Sequence, residues 1–136
     1  MQQKREAEAV RLAVVEMRQK MRDELDKSTD QIFDLKQGKG GVIDIEFMVQ
    51  YWVLVYAHAY PELCHFSDNW RILEQVGQFG ILSQADVTSL IEAYKVYRSK
   101  YHRVALQNQK PLVDQGCYQE QRAEVAAIWA KVMKGL

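Results

Sequence analysis

Asp44 and Glu46 stand two residues apart in FDLKQGKGGVIDIEF, residues 33–47, directly after Gly38, Gly40 and Gly41. In an extended chain that spacing puts both carboxylates on one face and Ile43, Ile45 and Phe47 on the other. Paired acids on one face suit Mg2+, a hard cation that takes carboxylate oxygens together with a substrate phosphate. A second chemistry fits the same two residues. If a helix begins here, Asp44 caps it and Glu46 sits in its first turn, both favoured by the helix dipole. Residue types and spacing alone favour the cap. The glycines also divide two ways. A phosphate cradle needs glycines leading into a helix N-terminus, and a P-loop adds Lys-Ser or Lys-Thr. GKGGVID has neither that pair nor the dinucleotide fingerprint, so a tight turn is the better reading, with Gly38, Gly40 and Gly41 supplying positive backbone angles.

Other reactive side chains are more scattered. His58, His65 and His102 have no spacing that would bring two onto one helix face, which favours packing or surface roles over metal ligation. Cys64 lies next to His65, but sequence neighbours point in different directions and no third group completes a nucleophilic set. Tyr94, Tyr97 and Tyr101 recur at helical spacing and read as packing at the edge of a core rather than a base-stacking platform. Arg98, Lys100, His102 and Arg103 read as a solvated face, with an anionic partner as the alternative.

These residues must be held by a mostly helical chain. Residues 3–27 carry Val10, Val14, Met17, Met21 and Leu25 at helical spacing among charged residues. Ile32 to Lys36 alternates as a half-buried strand does, and Val42-Ile43 supplies a return strand, predicting a β-hairpin over 32–43. Residues 44–60 return to a helical pattern that is apolar on several faces and so central. Pro61 stops it. Ser67 caps a short helix to Gln78 that turns Trp70, Leu73 and Val76 inward, and Gly80 fits the left-handed position after its end. Ser83-Gln84-Ala85-Asp86 opens a helix to about Gln107, Pro111 and Gly116 bracket a loop, and residues 118–134 carry the stripe Val125, Ile128, Trp129, Val132. The prediction is an all-α bundle of about five helices with one small β-hairpin, in a single domain spanning 1–136.

Composition narrows the function classes. The chain has 136 residues, 48% apolar and 26% charged, as in ordinary soluble globular proteins. Its 18 basic and 18 acidic residues cancel, which argues against nucleic acid or an anionic membrane as the main partner. No apolar run is long enough to span a bilayer, and MQQKREAEAV is no signal peptide. Cys64 and Cys117, without metal-type spacing, read as free thiols in a reducing cytoplasm, with a single disulfide between them as the alternative. The first residues are already helix-forming with no capping signal, which predicts a piece of a longer protein.

FDLKQGKGGVIDIEFMVQYWVL closely resembles the FD[IL]K…GG[IV].DIEF..Q segment of the glutamine synthetase adenylyltransferase family. YAHAYPEL, SDNWRILEQVGQFGIL, AYKVYRSKYHRVALQ and the closing Trp-containing helix extend the likeness over essentially the whole chain. The family joins two nucleotidyltransferase units, each followed by a helical domain. Asp44 before Ile45, where the deadenylylating unit has a GGIREIEF-like segment, suits the C-terminal, adenylylating one. The resemblance implies transfer of AMP from ATP to a tyrosine of glutamine synthetase with Mg2+, and regulation by glutamine and the PII signal protein. The family's Asp-x-Asp metal signature is missing from these residues, so the resemblance puts the catalytic sheet in an upstream nucleotidyltransferase domain. It makes Asp44 and Glu46 candidate catalytic residues at the edge of that site, Asp44 a candidate metal ligand, Lys36 a candidate nucleotide contact, and Gly40 and Gly41 the turn at the junction. Cap and active-site roles for the two acids stand level on this evidence. An interaction module relaying PII and glutamine signals is the alternative function.

Overall fold

The computed structural model describes residues 2–56, 59 and 69–133. Five helices form: α1 (Gln2–Leu25), α2 (Val42–Tyr56), α3 (Asn69–Gln78), α4 (Gln84–Leu106) and α5 (Gln119–Met133). Among the described residues two strands, β1 (Ile32–Asp34) and β2 (Leu112–Asp114), accompany the helices. The all-α bundle with a two-stranded antiparallel β element is as the sequence pattern predicts. Pro61, Cys64, His58, His65 and Ser67, to which the sequence assigned roles, lie outside the described residues.

α2 packs against all four other helices. Val42, Ile45, Met48, Val49 and Trp52 are buried along it, because so apolar a helix must find partners on several sides. Ser83 caps α4 by accepting the Asp86 N–H at 3.2 Å. Asp86 does not complete a capping box; its carboxylate takes the Lys131 ammonium at 2.6 Å instead, joining α4 to α5. α3 ends in a Schellman turn: Gly80 has φ +73°, and Ile81 N–H donates to the Val76 carbonyl at 3.0 Å.

The β element differs from the sequence expectation in its second strand. Val42 and Ile43 do not return beside β1; they open α2, donating their N–H groups to the Leu35 and Lys36 carbonyls at 3.0 and 3.1 Å. β1 pairs instead with β2, Phe33 opposite Val113, and Leu35 N–H continues the ladder to the Pro111 carbonyl. The physical reason is burial. Val42, Ile45, Val49 and Trp52 reach one core only as a helix, and Phe33 and Val113 enter that core together. The predicted 111–116 loop therefore contains a strand.

The turn before α2 needs its glycines for different reasons. Gly40 alone of the three has positive φ, +81°, and a methyl group there would collide with the Arg122 carbonyl of α5. Gly41 has no such backbone angle, but a Cβ on it would meet the Leu35 carbonyl at 2.5 Å. Close approach of backbone to backbone fixes both positions.

Three side chains sit elsewhere than their periodicity predicts. Met17 and Leu25 of α1 are 60% and 48% exposed. Among the described side chains of α1, Arg18 is the one buried completely. Trp70 is 39% exposed, its ring lying 5.0 Å beneath the Lys95 ammonium, while Ile72 turns inward beside Leu73 and Val76. Trp52 is buried and Trp129 only partly so.

Candidate functional site

Asp44 is the third residue of α2 and is 1% exposed. Arg18 Nε donates to its Oδ1 at 2.5 Å, Arg22 Nη2 spans both oxygens at 2.9 and 3.1 Å, and Gly40 N–H donates to Oδ2 at 2.7 Å. Arg18 also reaches the Gln37 side-chain and backbone oxygens at 3.1 and 2.6 Å. One carboxylate thus ties α1, the glycine turn and α2 together. Asp44 is not the N-cap; it lies inside the first turn and reaches back to a turn N–H, as the acid of a capping box does. Its lone pairs are taken by four hydrogen bonds, two guanidiniums among them. A cation would have to displace one of these. The residues from Val42 to Glu46 are helical, so Asp44 and Glu46 do not share a face as they would in a strand; two helical residues turn the side chains about 200° apart. Among the described residues no group of three His, Cys, Asp or Glu could hold a metal ion. The Gly40 and Gly41 N–H groups that a phosphate would use are already taken, by Asp44 and the Gly38 carbonyl.

Glu46 points away from this cluster, into a cleft of about 320 Å³ between the start of α2 and the middle of α4. Lys36, Val42, Glu46, Tyr94, Arg98, Tyr101 and His102 line it. The α4 contribution is one stripe, since Tyr94, Arg98, Tyr101 and His102 recur at helical spacing. The cations lie against aromatic walls: the Lys36 ammonium is 5.7 Å from the Tyr101 ring centre, and the Arg98 guanidinium 5.6 Å from that of Tyr94. Arg98 Nη2 is 3.4 Å from His102 Nε2, which can accept when that ring nitrogen carries no proton. The Tyr94 hydroxyl accepts from Asn69 at 2.9 Å, which fixes its ring. Burial lifts the Glu46 carboxyl above its ordinary value, and Lys36 and Arg98 pull against that rise. A half-buried acid with a raised proton affinity between two cations can hold or pass a proton beside a bound anion.

Two candidate residues from the sequence, Lys36 and Glu46, are therefore brought together, and Asp44 is turned away from them. The cluster that the sequence reads as a solvated face, or as a surface for an anionic partner, contributes Arg98 and His102 to the cleft, and no motif singles out Arg22 and Gln37. Arg18 did carry a signal: it falls on the inward stripe of α1 with Val14 and Arg22, where a lone cation demands a buried partner.

A model of the family described as GlnD PII-uridylyltransferase matches residues 8–130. The chain belongs to this family. Its relatives include the bifunctional glutamine synthetase adenylyltransferase/adenylyl-removing enzymes of Acinetobacter baylyi, Nitrosococcus oceani and Pseudomonas aeruginosa. The first is 46% identical over 96% of this chain and 15% of its own length. The second is 44% identical over 87% of this chain and 12% of its own length. The third is 42% identical over 96% of this chain and 15% of its own length. The chain thus spans about one seventh of these curated relatives, and the stretch from Phe33 to Phe47, on which the sequence resemblance rests, forms the end of β1, the turn and the start of α2. No helix of the described residues is long and apolar enough to cross a membrane.

Proposed function

We propose that this chain is the helical domain following the C-terminal, adenylylating nucleotidyltransferase unit of a bifunctional enzyme that moves AMP between ATP and a tyrosine of glutamine synthetase. The carrying observation is 42–46% identity over 87–96% of the chain to three proteins bearing that name. In this reading the chain supplies one wall of the site, and the Asp-x-Asp set that would hold Mg2+ belongs to the nucleotidyltransferase unit. The chemistry of the cleft supports such a role. Lys36 and Arg98 present positive charge to a phosphate, and phosphoryl-type transfer depends mainly on positioning and charge neutralisation. Glu46, with its raised proton affinity, stands where a proton can be held near that charge. Asp44 acts one step back, fixing the turn that carries Lys36.

The test uses labelled ATP, glutamine synthetase and Mg2+. The intact enzyme labels glutamine synthetase, and Arg98→Ala in it lowers the rate about tenfold or more with helical content unchanged. The present chain alone gives no label. Labelling by the chain alone, or a wild-type rate for Arg98→Ala, would overturn the reading.

A further inference from the structure

A second cleft, of about 270 Å³, lies on the other side of Lys36 and Tyr101 from the first. Three lysines from separate parts of the chain line it: Lys27 after α1, Lys36 after β1 and Lys110 before β2. Leu25, Pro111 and Leu112 give it an apolar wall. The backbones carrying these lysines are fixed. Lys27 N–H donates to Asp34 Oδ2 at 3.1 Å, Lys36 N–H to Asp34 Oδ1 at 3.0 Å, and the Lys110 carbonyl accepts Leu112 N–H at 2.8 Å.

Among the described residues Asp34 is the one acid lining the cleft, and its oxygens are already engaged. It is buried and accepts three backbone N–H groups, from Lys27, Lys36 and Gln37. Among the described residues none of the three ammonium groups has an ion-pair partner. The chain as a whole is neutral, yet here it gathers three cations around one saturated carboxylate. Like charges gathered in one cleft repel one another, and Asp34, with Glu46 acting on Lys36 from the neighbouring cleft, offsets only part of that repulsion. A compact anion of two or more charges offsets the rest.

We infer that the cleft between Lys27, Lys36 and Lys110 binds a phosphate group. Two sources share this chemistry: free inorganic phosphate, and the phosphate tail of a nucleotide that crosses Lys36 from the neighbouring cleft. The inference stands on the lysines and does not require the adenylyl-transfer reading.

The experiment titrates the chain with inorganic phosphate, pyrophosphate, ATP and adenosine, following backbone amide resonances of Lys36, Gln37 and Lys110. These lysines are exposed or half-exposed, so Lys27→Ala/Lys110→Ala keeps the helical circular dichroism spectrum of the parent. Saturable binding of phosphate and pyrophosphate, weakened on the order of tenfold or more in the double variant and unaffected by Arg98→Ala, assigns the site to the free anion. Binding of ATP alone, weakened by the double variant and by Arg98→Ala, assigns it to a nucleotide tail. Both support the inference. No saturable binding of phosphate, pyrophosphate or ATP at millimolar concentration, equal binding by the double variant, or adenosine binding as well as ATP would overturn it.

Discussion

Two acids two residues apart on α2 have opposite surroundings. Asp44 is sealed between α1 and the glycine turn, with two arginines and a turn N–H on its oxygens. Glu46 faces the α2/α4 cleft, half-buried, with Lys36 and Arg98 near enough to affect its proton affinity. A closed polar cluster holds a fold together, while an open one is available to a ligand. The same short segment therefore holds both environments, and the helical turn between the residues separates them. Substitutions at the two positions should differ in kind.

The largest effect belongs to the closed cluster. Asp44→Asn removes the charge that compensates Arg18, which is fully buried. Breaking a buried pair by removing one partner costs about 3–5 kcal/mol. Urea unfolding should show a loss of that size; a loss under about 1 kcal/mol would mean that Arg18 finds another partner or water. Gly40→Ala comes next. It meets the Arg122 carbonyl and forces a positive φ on alanine, so a loss on the order of 1–3 kcal/mol is expected in thermal melts.

Smaller effects belong to the cleft, where stability and pH are linked. The folded Glu46 carboxyl binds its proton more tightly than the unfolded one, because burial disfavours the charged form. Folding is thus favoured at this position below the ordinary carboxylate range, and that advantage is lost as pH rises through the folded value. Glu46→Gln should therefore melt higher than the parent at neutral pH, with the difference vanishing in acid. A lower melting temperature for Glu46→Gln at neutral pH would mean that its attraction to Lys36 and Arg98 outweighs desolvation. Arg98→Ala, on an exposed stretch of α4, should change stability by no more than about 0.5 kcal/mol.

Sequence periodicity located the five helices, and local signals marked the Ser83 cap and the Gly80 turn because both act within a few residues. β2 was hidden because its partner Phe33 lies in a distant part of the chain, and pairing of that kind leaves no local pattern. Val42-Ile43 suits strand and helix alike until its neighbours Ile45, Val49 and Trp52 are counted with it. Half of the cleft was legible: Tyr94, Arg98, Tyr101 and His102 share one helical stripe in the sequence. That Lys36 and Glu46 face this stripe follows from packing of α2 against α4, which no spacing encodes. The Asp44 cluster shows the same division, since the carboxylate drew notice but its arginines lie on α1.

In the proposed function the Glu46 cleft is a working surface and the Asp44 cluster its support. This division of roles is tested most directly by measuring both melting temperature and AMP transfer to glutamine synthetase for Glu46→Gln in the intact enzyme at neutral pH. The account predicts an equal or higher melting temperature with transfer reduced about tenfold or more, equivalent to roughly 1.4 kcal/mol in the barrier. Transfer at the wild-type rate would contradict it.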